Sequence, residues 1–135
     1  MLRSELMRPY RPGVSATRPE YEALLRVLAA LDSGVEPDRP TLRTAVRFLL
    51  AALAADAPGR SVEVRVPPYG AVQCVAGPRH TRGTPPNVVQ TDPRTWLEVA
   101  TGRLTWADAV DAGRIRASGN RADLSDHLPV RRHAR

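Results

Sequence analysis

The residues best suited to chemistry lie between Gly77 and Asn87, read Gly-Pro-Arg-His-Thr-Arg-Gly-Thr-Pro-Pro-Asn. Arg79, His80 and Arg82 put two guanidiniums and an imidazole close together on one loop. A guanidinium donates paired hydrogen bonds to a carboxylate or phosphate, so the trio is a candidate seat for the polar head of an acidic ligand. Loop arginines also serve as plain solvated charges, and Arg82 has aspartates to pair with, so both readings stay open. Prolines and glycines exclude a continuous helix or central strand here. An irregular stretch of this length inside a compact domain is often functional.

The other reactive side chains point away from catalysis. Cys74 could be a nucleophile with His80 as its base, but a strand cysteine without an electropositive helix end behaves as a small hydrophobe. His80, His127 and His133 lack cysteine or carboxylate partners at metal-ligand spacing. Asp108, Asp111, Asp123 and Asp126 fall at helix starts or on wet faces, where capping accounts for them. No phosphate-cradling glycine motif follows a strand. The expectation is a non-enzymatic protein with no catalytic residue, no metal and no cofactor.

Composition narrows the class further. A chain of 135 residues, 42% hydrophobic and 25% charged, suits one domain with its own core. The net charge is +6, and all 20 basic residues are arginines. They are spread along the chain except for Arg131, Arg132 and Arg135, so no specific nucleic-acid partner is expected. No apolar run reaches the length of a membrane span. The first residues carry no apolar block, and the single Cys74 allows no internal disulfide, so the expected location is cytoplasmic.

The elements that must position these residues follow from local signals. Residues 1–16 read as an irregular lead-in, 17–130 as one domain and 131–135 as a basic tail. Thr17 and Glu20 form a capping box, Leu24, Leu25, Val27, Leu28 and Leu31 give a helical stripe, and Gly34 stops it. A second helix carries Leu42, Ala45, Val46, Leu49, Leu50 and Leu53 and ends before Pro58-Gly59. Val62, Val64 and Val66 then alternate with Glu63 and Arg65 as in a half-buried strand. A turn at Pro67-Pro68-Tyr69-Gly70 returns the chain through a strand from Ala71 to Ala76, in which only Gln73 is strongly polar, a sign of a position near the sheet centre. Val88 to Thr91 reads as a strand, and Asp92-Pro93 opens a helix that ends at Gly102. Thr105 opens another, stopped by Gly113, before a strand over Arg114 to Ala117 and a short terminal helix from Ala122 to Leu128, cut off by Pro129. The order is that of an α+β fold, a largely antiparallel sheet of four to five strands with helices on one face.

Thr101-Gly102-Arg103, Ala109, Gly113-Arg114-Ile115-Arg116 and Gly119-Asn120, followed by Leu124 and Leu128, resemble the C-terminal half of the sterol carrier protein family. The whole chain is similar to a stand-alone bacterial subgroup of that family, in which the loop from Pro78 to Asn87 is a hallmark. The resemblance implies an opening helix at Thr17 to Leu31, with the helix from Leu42 to Leu53 an addition to the minimal fold. It also implies a lipid or other hydrophobic small molecule held in an apolar cavity between sheet and helices. Leu24, Leu28, Leu49, Trp96, Val99, Trp106 and Val110 are then cavity candidates, or simply core. The alternative is an accessory module for a separate enzyme. The wide apolar face of the second helix suits a second subunit as well as a cavity cap.

Overall fold

Side-chain caps set the start of each α-helix among the described residues. In the computed structural model, which describes residues 17–78 and 87–130, Thr17 and Glu20 close a reciprocal capping box on helix α1 (Arg18–Asp32). Asp38 caps α2 (Arg39–Asp56), Asp92 caps α3 (Pro93–Ala100), and Thr105 caps α4 (Trp106–Asp111). Each side-chain oxygen accepts an amide hydrogen that the first helical turn leaves without a partner.

Three helices also end as their glycines predict. Gly34, Gly102 and Gly113 have φ of 70°, 86° and 73°. After α3, the amide of Arg103 donates to the Glu98 carbonyl at 2.8 Å and that of Gly102 to Val99 at 3.3 Å. The same paired bonds follow α1 and α4, from Val35 to Ala30 and from Arg114 to Ala109. This is the Schellman motif, which a left-handed residue makes possible.

Strands β1 (Val62–Val66), β2 (Gly70–Cys74), β3 (Val88–Thr91) and β4 (Ile115–Ser118) form one sheet in the order β2-β1-β3-β4. The β1–β2 and β3–β4 pairs are antiparallel, and β1–β3 is parallel. Val62, Val64 and Val66 point into the core with no accessible surface, as their alternation predicts.

Two details correct the sequence reading. The returning strand β2 is an edge strand, not a central one; its apolar character comes from the α2 helix packed against it. The expected helix from Ala122 to Leu128 is a single 3₁₀ turn at Ser125–His127. Asp123 turns its carboxylate onto the Ser125 amide at 2.9 Å, an Asx-type bond that competes with helix hydrogen bonding.

Helix α2 is the centre of the core. Ala45, Val46, Leu49 and Leu53 have no accessible surface, and α1 and α3 pack on either side of it. Trp96 on α3 is 2% exposed, and its indole N–H reaches the Val46 carbonyl at 3.3 Å. Between the helices and β1 the space is filled by side chains that retain no surface, which leaves no void of water size beside them.

A knot of polar backbone closes the far end of the sheet. Val75 has φ of 67°, a left-handed conformation strained for a β-branched residue. Its amide donates to the Ala57 carbonyl at 2.6 Å, and its carbonyl accepts from the Ser61 amide and hydroxyl at 3.1 and 2.7 Å. Gly59 lies against it so closely that a Cβ there would collide with the Val75 backbone. Asn87 is buried beside this knot. Its amide donates to the Ser61 carbonyl at 2.8 Å, and its side-chain oxygen accepts from the Arg121 amide at 2.9 Å.

Candidate functional site

The link between α3 and α4 is short and built from caps at both ends, so its side chains are placed by backbone geometry. Gly102 turns the chain out of α3, Leu104 follows, and Thr105 starts α4 by accepting the Asp108 amide at 3.1 Å. Arg103 leaves this link toward α1, where it grips both oxygens of Asp32 at 3.2 and 3.0 Å. On the other side, the Val130 amide donates to the Ala100 carbonyl at 3.0 Å. That bond pins the C-terminal segment across the end of α3 and seats Pro129 against Gly102.

These constraints leave an open apolar cleft of about 320 Å³. Its walls are Val99 and Gly102 of α3 and its turn, Leu104 and Thr105 of the link, Trp106 and Ala107 of α4, and Ser125, Leu128 and Pro129. The volume lies at the lower end of the range, roughly 300–1,000 Å³, that small-molecule sites occupy. Among the described lining residues, Thr105 and Ser125 supply hydroxyls and Trp106 an indole N–H.

The residues named from the sequence divide by position. Val99 and Trp106 line the cleft. Leu24 and Leu28 on α1, Leu49 on α2 and Trp96 on α3 belong to the filled core. Val110 faces outward and is 37% exposed. Arg79, His80 and Arg82 lie outside the described residues. Sequence reasoning did not single out Leu104, Ala107 or Ser125. The available signal was the crowding of a helix stop and a helix start between Gly102 and Thr105, which forces the intervening leucine to a rim.

A second cleft, of about 270 Å³, opens at the carboxyl ends of the parallel strands and is polar. Its charges are mostly engaged. Arg114 donates to Glu98 at 2.6 Å and to the Thr95 hydroxyl at 3.0 Å, and that hydroxyl donates to Asp92 at 2.6 Å. Burial pushes the Asp92 carboxyl up, but the Thr95 bonds and the nearby Arg114 outweigh it and hold the group below its ordinary range. The network fastens α3 to the start of β4 and is structural.

Cys74 is buried, and desolvation pushes its thiol up to about 11, far from a reactive thiolate. Among the described residues, no group of three or more histidine, cysteine or acidic side chains could hold a metal ion. None of their helices is long and apolar enough to cross a membrane.

Sequence comparison places this architecture. The family described as bacterial SCP ortholog, where SCP stands for sterol carrier protein, matches residues 38–130. The chain belongs to that family. The matched part of this sterol carrier domain begins just before α2 and leaves α1 outside. Helix α2 thus lies within the matched part. No curated protein shows significant similarity to the chain.

Proposed function

We propose that this domain binds a hydrophobic small molecule, without catalysing a reaction, in the cleft between α3, α4 and the C-terminal segment. The observation that carries the reading is the apolar lining around Trp106, open to solvent beside a core that is otherwise filled. Membership of the sterol carrier family supports it. Apolar burial at about 25 cal/mol per Å² supplies the driving force, and the indole of Trp106 offers a large flat surface to an alkyl chain.

The test is a titration of the protein with medium-chain amphiphiles followed by tryptophan fluorescence. A saturable change that disappears in Trp106→Phe is expected. Ala107→Trp should fill the cleft and abolish the response while leaving the unfolding midpoint in place. No saturable response to any amphiphile would defeat the proposal.

The second reading is an accessory module for a separate enzyme. What favours it is the filled helix–sheet layer, in which Leu24, Leu49, Val64 and Val66 leave no room for a guest. It predicts that Ala107→Trp has no effect on function in the presence of the partner.

A further inference from the structure

We infer that the polar cleft at the carboxyl ends of β1 and β3 is a second binding site, and that it takes a short organic monocarboxylate. It shares no lining residue with the apolar cleft, so it stands apart from the reading above.

Topology makes this cleft. Among the described strands β1 and β3 are the one parallel pair, and the chain leaves them in opposite directions. After Val66 it turns at Pro67 into β2 on one flank; after Thr91 it enters α3 and reaches β4 on the other. Where neighbouring parallel strands diverge in this way, a crevice is left beyond their carboxyl ends, and open sheets bind ligands there. Pro67, Gln90, Thr91 and Asp92 line it from the two strands, and Gly113, Arg114 and Arg116 close it from the β4 side.

Charge then sets the ligand. Glu98 is shared by Arg94 at 3.4 Å and Arg114 at 2.6 Å, and Asp92 accepts the Thr95 amide and hydroxyl. Arg116 is a third guanidinium, and no described residue bonds or pairs with it. Three cations thus stand against two carboxylates, and the surplus charge sits on the side chain that is free to use it. Its direct cross-strand neighbour is Gln90, whose side-chain amide is likewise without a described partner. Arg65, beyond Gln90 in the same row, is closed on Glu63 at 3.0 Å.

Opposed residues on one face of a sheet lie close enough for their side chains to meet the same ligand. The planar fork of Arg116 gives two parallel bonds to a carboxylate, and the Gln90 amide adds a third donor. One surplus positive charge balances a monoanion, whereas a phosphate dianion would stand near Asp92 and Glu98 with half its charge unmet. Pro67 is the one apolar side chain among the described walls, so nothing there receives a long alkyl chain.

The experiment is a titration of the full chain with propionate at neutral pH and constant ionic strength, followed by nitrogen-edited NMR. Saturable shifts are expected at the Gln90 side-chain amide, the Arg116 Nε–H and the Gly113 amide, with chloride producing none. Arg116→Gln should weaken propionate at least about tenfold, the effect of losing a charge-assisted pair. Arg116→Lys, which keeps the charge but not the fork, should weaken it about fivefold. Arg43→Gln, which removes an exposed α2 arginine outside the cleft, should change nothing, and methyl phosphate should bind more weakly than propionate. The inference is overturned by the absence of saturable shifts, by equal shifts with chloride, or by methyl phosphate binding as tightly as propionate. Equal losses in Arg43→Gln and Arg116→Gln would reduce the effect to general charge and overturn it too. If Arg116→Gln lowers the unfolding midpoint, Arg116→Lys decides, and full affinity in that variant overturns the inference.

Discussion

Trp96 and Trp106 sit on consecutive helices of similar length, yet they do opposite things. Trp96 is 2% exposed, wedged between α3 and α2 with its N–H on a helix carbonyl. Trp106 is only partly buried and forms one wall of an open cleft. The difference is made by α2. Where that helix crosses the sheet, leucines and valines fill the space; past its reach, the described C-terminal segment lies across α3 and α4 and leaves a cleft. The described residues thus have a solid end and an end with an open cleft.

The contrast can be broken most directly at the two tryptophans. Trp96→Ala should lower stability by about 3–5 kcal/mol, measured by urea unfolding, because it opens a void in a packed layer. Trp106→Ala should lose only about 1 kcal/mol, yet it should remove the ligand response altogether. Similar stability losses for both would erase the distinction. Asn87→Ala should come next, at about 2 kcal/mol, since it leaves the Ser61 carbonyl and the Arg121 amide without partners.

Cys74 sharpens the same picture from the solid end. With its thiol pushed up to about 11 by burial, it should resist an aromatic disulfide reagent at neutral pH until the protein unfolds. Rapid labelling of the folded protein would mean that the solid end opens. The smallest effect is expected from acid. Asp38, Asp92 and Asp123 are all held below the ordinary aspartate value of 3.8 in the folded protein. A depressed carboxyl stabilises the fold above that value, and its contribution is lost as pH falls through the folded one. Stability should therefore decline below about pH 4, and Asp92→Asn should flatten that slope in a pH series of urea midpoints.

What the sequence revealed follows the range of the physics involved. Caps such as Thr17 with Glu20, Asp92 before Pro93 and the stops at Gly34, Gly102 and Gly113 act within a few residues, and each stands where its chemistry predicts. The alternation of Val62, Val64 and Val66 likewise reports burial directly. The position of β2 at the sheet edge was not readable, because the apolar surface that covers it comes from α2. The parallel pairing of β1 with β3 depends on a crossover through the loop and carries no local mark. For the cleft, Val99 and Trp106 were recognisable as apolar. That Leu104, Ser125 and Pro129 would face them depends on the bond from Val130 to Ala100, which joins two parts of the chain distant in sequence. The short turn at Ser125–His127 was hidden for a local reason, since Asp123 bonds the amide that a helix would have used.

The polar knot at the far end of the sheet has its own consequence. Val75, locked in place by Ala57 and Ser61, and Asn87, clasped by Ser61 and Arg121, are the two posts between which residues 76–86 run. With both posts bonded to Ser61, loss of that one side chain and its turn would loosen this end of the sheet from both directions at once, while the α3–α4 cleft at the other end keeps its own anchors.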